Sequence, residues 1–139
     1  MSKTKTLTDH NTKPIVYSDF FTDFSKNSAT GQLNRKTNEN AVKQSIRNLL
    51  LTDHYERLFQ PTIGSNLRSL LFENFGPTTE LRAKEYIKET IEQYEPRAAL
   101  LKTRVASNPD GNRLAVSIYF RIINTIEPVR LDINIERSR

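Results

Sequence analysis

The order of apolar and polar residues changes period part-way along the chain. Between residues 38 and 96 it follows helices. Val42, Ile46, Leu49 and Leu50 fall at i, i+4, i+7 and i+8, one face of a helix. Asn38 is its candidate N-cap, Glu39 suits the positive end of its dipole, and it should finish near Thr52. Pro61 breaks any helix continuing through Phe59. A short second helix is predicted after Gly64, with Ser65 as cap and Leu67, Leu70 and Leu71 along one side. Gly76-Pro77 stops it. Thr78 or Thr79 then caps a third helix through about Tyr94, with Ala83, Ile87, Ile91 and Tyr94 as its stripe. Glu80 and Lys84 form a favourable i, i+4 pair, and Glu85, Lys88, Glu89 and Glu92 make the solvated face. Pro96 ends the helix, because the residue before proline is pushed out of helical geometry.

From residue 99 the period is two. Residues 99–107 are a strand candidate, closed by the turn signal Asn108-Pro109-Asp110-Gly111. Leu114, Val116, Ile118, Phe120 and Ile122 alternate with Arg113, Ala115, Ser117, Tyr119 and Arg121. After a turn at Thr125 to Pro128, Val129, Leu131, Ile133 and Ile135 alternate with Arg130, Asp132, Asn134 and Glu136. Helices first and strands afterwards make an α+β order. The expected fold is about three helices packed on a small antiparallel sheet of three or more C-terminal strands. Strand 129–136 is a candidate edge: its charged outer positions discourage indiscriminate pairing, while its backbone offers a place for a partner's strand.

Upstream of the periodic region, residues 1–36 read as a flexible N-terminal arm and residues 37–139 as one domain. Residues 1–14 are polar, and Tyr17, Phe20, Phe21 and Phe24 should anchor the arm onto the domain.

Composition narrows the chemistry. The 139 residues include 37 Leu, Ile, Val and Phe, above the roughly 20% below which chains stay disordered. No apolar run approaches the roughly 20 residues of a membrane span. Cys is absent, which excludes disulfides, thiolate nucleophiles and Cys-based metal sites; His10 and His54 are the only imidazoles. No glycine-rich nucleotide loop or serine elbow occurs, so no cofactor is expected. The net charge of +5 is uneven: +3 over residues 1–36, −1 over 37–97 and +3 over 98–139. Acidic protein surfaces are the expected partners for the basic ends.

Glu73, Glu80, Glu85, Glu89, Glu92 and Glu95 crowd the middle, and a glycosidase would need two such carboxyls about 5–9 Å apart. Most lie on the polar face of a helix, which favours solvated surface over catalysis. Asp53–His54 and Asp9–His10 are adjacent in sequence, and neighbours on a helix do not face each other. Arg104, Arg113, Tyr119 and Arg121 share one side of the strands, without the aromatic spacing of an RNA-binding sheet. Glu95-Pro96-Arg97 sits at the helix-to-strand corner, where an arginine can bond a carboxylate through two hydrogen bonds.

Three segments together resemble the small wedge protein of contractile phage tail baseplates, the GPW-type family or sheath initiator, related to the type VI secretion protein TssE. They are Ser45-Ile46-Arg47-Asn48-Leu49-Leu50-Leu51-Thr52; Glu56-Arg57-Leu58-Phe59-Gln60-Pro61 with Ile63-Gly64-Ser65-Asn66-Leu67 and Leu71-Phe72-Glu73; and Tyr94-Glu95-Pro96-Arg97. The match covers about residues 38–136, and many members have Gly where Tyr55 stands. The resemblance implies a structural, non-enzymatic role in the virion tail baseplate, with assembly in the host cytoplasm. Glu95, Pro96 and Arg97, with Glu56 and Arg57, would dock on the helical core bundle of other wedge proteins. Arg130, Leu131, Asp132, Ile133, Asn134 and Ile135 would template strands of the tail sheath protein. About six copies would surround the tail tube, with no specific nucleic acid and no membrane. The competing expectation is a lysozyme-like tail enzyme that degrades peptidoglycan.

Overall fold

The computed structural model describes residues 16–108, 112–123 and 125–136. Two short strands come first, β1 (Ser18–Phe20) and β2 (Arg35–Thr37), paired antiparallel. Helix α1 (Asn38–Leu51) follows, then a 3-10 turn (Ser69–Phe72) and helix α2 (Pro77–Tyr94). Strands β3 (Ala98–Asn108), β4 (Arg113–Ile122) and β5 (Pro128–Glu136) form an antiparallel sheet in that order, so β3 and β5 are its edges.

The predicted apolar stripes are the core. Val42, Ile46 and Leu50 of α1 and Ala83, Ile87 and Ile91 of α2 are fully buried. They pack on the inner face of the sheet, where β4 contributes Leu114, Val116, Ile118, Phe120 and Ile122, and β5 contributes Val129, Leu131, Ile133 and Ile135. Each large side chain buried this way adds about 1.5–3 kcal/mol of transfer free energy. Strand β3 carries a bulge between Leu100 and Lys102, which leaves Leu101 unpaired and 55% exposed. Among the described residues no helix is long and apolar enough to cross a membrane.

The expectation of three helices is corrected to two α-helices among the described residues. The middle segment makes only a 3-10 turn, closed by bonds of i→i+3 type from the Leu71 N–H to the Arg68 carbonyl and from the Glu73 N–H to the Leu70 carbonyl. Gly64 and Gly76 confine it, so an α-helix there could not outgrow its nucleation cost. Leu67, Leu70 and Leu71 are buried nonetheless. Ser65 does not cap this segment. Its hydroxyl donates to the Leu50 carbonyl (2.7 Å) and its N–H to the Thr52 carbonyl (2.8 Å), closing the exposed end of α1.

Other caps shift as well. Thr37 precedes α1, and the Asn38 side chain instead accepts the Val16 N–H (2.8 Å) and the Tyr17 N–H (3.3 Å), holding β1 against the helix start. Gly76 precedes α2, with Pro77 in its first turn, where the missing N–H costs nothing. Of the expected arm and the predicted 108–111 turn, residues 1–15 and 109–111 lie outside the described residues.

Gly64 is dictated by space. Its φ is +136°, and a Cβ there would sit 2.5 Å from the Thr52 carbonyl oxygen. Gly31, at φ +68°, has open space around it. Gly64→Ala is expected to lower the unfolding free energy by at least about 2 kcal/mol, and Gly31→Ala by about 1. Urea denaturation of both variants checks this, and equal losses would contradict it.

Candidate docking site

Glu95 is the C-terminal cap of α2, and the two residues after it turn the chain into β3. Its N–H still bonds the Ile91 carbonyl (2.9 Å), while its own carbonyl accepts the Ala98 N–H (3.1 Å). This places the carboxylate under α1, only 2% exposed. Arg97 bonds it twice, Nε to Oε1 at 2.5 Å and Nη2 to Oε2 at 2.7 Å. Burial pushes the Glu95 carboxyl upward. The Arg97 hydrogen bonds and charge and the Ser45 hydroxyl outweigh it, so the group is held below the usual carboxylate range. The same bonds raise Arg97, aided by the charge of Asp19. The Arg97 guanidinium lies 5.5 Å from the Tyr17 ring centre and stays 33% exposed.

Thus the two charges of the corner are unequal. Glu95 is turned inward and fixes Arg97; Arg97 alone reaches the surface, and Pro96 is exposed beside it. Ser45, which bonds Glu95, and Asp19, whose charge acts on Arg97, also line a cleft of about 310 Å³ with Asn48, Arg57, Ile63 and Tyr94. The structure therefore brings Arg57 and Arg97 to one region although 40 residues separate them. Glu56 is not directed there. Its carboxylate accepts the Asp53 N–H (2.9 Å) and shapes the loop.

That loop also presents groups that the sequence pattern did not single out. Tyr55, Leu58 and Phe59 are 84%, 85% and 99% exposed. Tyr55 and Phe59 have φ of +68° and +71°. Glycine reaches that region without steric cost, which fits the glycine that the family resemblance implies at the Tyr55 position. The only available signal was three apolar residues in a segment without period.

Strand β5 lies on the other side of α1. The Ile123 N–H donates to the Arg97 carbonyl (2.9 Å), which fixes the phase of the ladder. By alternation, Leu131, Ile133 and Ile135 bond β4 and face the core, while Arg130, Asp132 and Asn134 turn their backbone N–H and C=O outward. One of these outward groups is occupied: Arg47 Nη2 donates to the Asp132 carbonyl at 3.3 Å. At the opposite edge the Ser107 N–H (3.1 Å) and hydroxyl (2.8 Å) both donate to Glu80. Those bonds hold the Glu80 carboxyl below its ordinary range, so its main partner is β3 and not Lys84. The β3 edge is tied to α2; among the described residues the β5 edge carries one long, exposed side-chain bond.

The sequence profile of the family described as baseplate wedge protein gp25 matches residues 36–127. The chain belongs to this family. Baseplate wedge protein gp25 of Enterobacteria phage T4 is 31% identical over 96 residues, covering 67% of this chain and 73% of that protein. Among solved structures, a Geobacter sulfurreducens protein provisionally described as a tail lysozyme is 26% identical, with a TM-score of 0.63 over 70% of this chain and 89% of its own. A chain of the anti-feeding prophage baseplate shares the fold, with a TM-score of 0.69 at 24% identity over 80% of this chain and 89% of that one. A chain of the postcontracted pyocin R2 baseplate does so at 0.52 and 18% over 82% and 98%. The gp25 match begins at Lys36 beside α1 and includes the Glu95–Arg97 corner, but it ends at Glu127, before β5.

Loss of the corner charge tests its structural weight. Glu95→Gln keeps the side-chain shape and is expected to cost about 2 kcal/mol at pH 7, the range of a charge-assisted hydrogen bond. Because the folded carboxyl is depressed, its contribution is complete above the ordinary value of 4.5 and is lost as pH falls through the folded value. The gap between wild type and Glu95→Gln should therefore narrow in urea titrations as pH falls below 4.5 and close only below the folded value. A gap independent of pH would contradict the ion-pair account.

Proposed function

We propose that the chain is a structural part of a contractile phage tail baseplate, built into the virion tail during assembly in the host cytoplasm. Arg97 and Arg57 dock on the helical core bundle of neighbouring wedge proteins, with Glu95, Pro96 and Glu56 as positioning residues. Strand β5 then templates the first ring of tail sheath by accepting a foreign strand. Six copies around the tail tube, and residues 1–36 acting as an arm to a domain at 37–139, complete this reading. Family membership supports the baseplate role.

One observation carries the templating step. The outward backbone groups of Arg130, Asp132 and Asn134 are spaced as a strand requires, and a single displaceable Arg47 bond stands across them. An incoming strand would replace that bond with its own ladder. Arg47 meanwhile guards the free protein against adding the wrong strand.

The phase supplies a selective test. Asn134→Pro removes an outward N–H without removing a bond to β4, and proline is tolerated on an edge strand. Particles carrying Asn134→Pro are expected to contain the chain in the baseplate but to lack ordered sheath by electron microscopy. Normal sheath on those particles would overturn templating at β5. Arg57→Glu, which leaves the Glu95–Arg97 pair intact, is expected to do the opposite and keep the folded chain out of baseplates.

The Geobacter sulfurreducens relative raises the competing reading of a cell-wall enzyme. Glycoside hydrolysis by paired carboxyls needs one that holds its proton near neutral pH. Glu80, Glu95 and Asp132 all depart from their ordinary values downward. The purified chain is expected to leave a peptidoglycan suspension turbid. Clearing abolished by one Glu substitution would reverse the assignment.

A further inference from the structure

The outer face of the sheet, opposite the helices, carries no described role. Its cross-strand rows are set by the register: Lys102, Tyr119 and Arg130 lie side by side, next to the row of Arg104, Ser117 and Asp132. Arg121 follows along β4 in the row of Ala99 and Pro128. Rows on one face repeat about every 6.7 Å and strands about every 4.8 Å, so Arg104 and Arg121 lie about 14 Å apart with Lys102 in the row between them. Tyr119 is gripped from both sides, with the Arg104 and Arg130 guanidiniums 5.9 and 5.8 Å from its ring centre.

The two carboxylates on this face are already used. Asp132 pairs with Arg130 (2.9 Å) and Glu136 with Arg113 (3.1 Å). Among the described residues, Lys102, Arg104 and Arg121 have no carboxylate partner, and all three are exposed. Arg121 also borders an apolar cleft of about 380 Å³ with Ala99, Ile123, Thr125 and Ile126. Ile126 is 94% exposed there and Ile123 49%.

We propose that this face binds an acidic segment of a partner protein, with its carboxylates over Lys102, Arg104 and Arg121 and one apolar side chain seated between Ile123 and Ile126. Charge complementarity and the adjoining apolar cleft select this occupant. A nucleic acid fits less well, because the Tyr119 ring is already engaged by the Arg104 and Arg130 guanidiniums and because Asp132 and Glu136 oppose a continuous phosphate chain. The apolar end of the site adjoins the corner through the Ile123 bond to the Arg97 carbonyl, but its charged groups are distinct from Arg97 and from the outward backbone of β5. It therefore stands or falls independently of docking and strand addition.

The test uses the full chain and a glutamate peptide of about ten residues, long enough in extended form to cross the patch, with one terminal phenylalanine. In two-dimensional amide NMR, the peptide is expected to shift Lys102, Arg104, Tyr119, Arg121 and Ile123, with binding that weakens as salt rises. Arg104→Glu with Arg121→Glu should weaken binding at least about tenfold, while Arg35→Glu with Arg68→Glu should leave it nearly unchanged. If the reversed pair disturbs folding, the neutral pair Lys102→Gln with Arg121→Gln should still weaken binding. Replacing the phenylalanine by serine should weaken it further and remove the Ile123 shift. Undiminished binding to the folded double variant, or shifts spread away from this face, would overturn the proposal. So would tighter binding of duplex DNA or of phosphatidylglycerol vesicles than of the peptide at equal salt.

Discussion

The buried carboxylate of Glu95 is the constraint on which the rest of the structure depends. It sits where α2 ends, where β3 begins, and beneath α1, so three elements meet at one charge. A buried charge left alone is costly, and its partner here comes from two residues along the same chain. The Arg97 fork meets it only if the chain turns tightly at Pro96. Pairing thus fixes the angle at which the sheet leaves the helix. It also leaves the arginine partly at the surface, held at one end and free at the other. Local stability and an outward-facing cation are consequences of the same two hydrogen bonds.

Helix α1 sits between two regions of differing character. Ser45 contributes to the Glu95 environment, and two residues later Arg47 reaches the β5 backbone. Positions two apart on a helix point in nearly opposite directions. One helix therefore touches both the corner and the edge without either set of contacts obstructing the other. The sheet edges are treated unequally. Glu80 ties β3 twice, in a partly buried place, whereas β5 is crossed by one exposed arginine. A sheet protected equally on both sides could not extend; one protected on neither side would aggregate.

Legibility in the sequence followed the strength of the period. The stripes Val42–Leu50 and Ala83–Ile91, and the alternation from Leu114 to Ile135, led directly to the core because burial imposes those spacings. The Leu67–Leu71 segment misled, since its leucines are buried by contacts from elsewhere and not by a helix of its own. Ser65 looked like a cap in isolation, but the carbonyls it satisfies belong to a helix end fifteen residues earlier. The site was legible at Glu95–Arg97 as a pair, but not in its asymmetry, because burial of Glu95 depends on Ser45 and α1. Tyr55, Leu58 and Phe59 left no periodic trace. Nothing local to Arg47 indicates that its side chain reaches the carbonyl of residue 132.

The bulge at Leu101 has a consequence that concerns parity. Ahead of it, the even-numbered residues Ala98 and Leu100 face the helices; beyond it, the odd-numbered Thr103, Val105 and Ser107 do so. Removing Leu101 would close β3 into an unbroken ladder, because Leu100 already faces inward and Lys102 outward, as neighbours in a regular strand do. The extra residue changes which numbers face the core without changing which side chains do. Removing two residues at that point would instead turn the distal half over and drive Lys102 and Arg104 toward the core. Loss of one residue should therefore be tolerated here far more readily than loss of two.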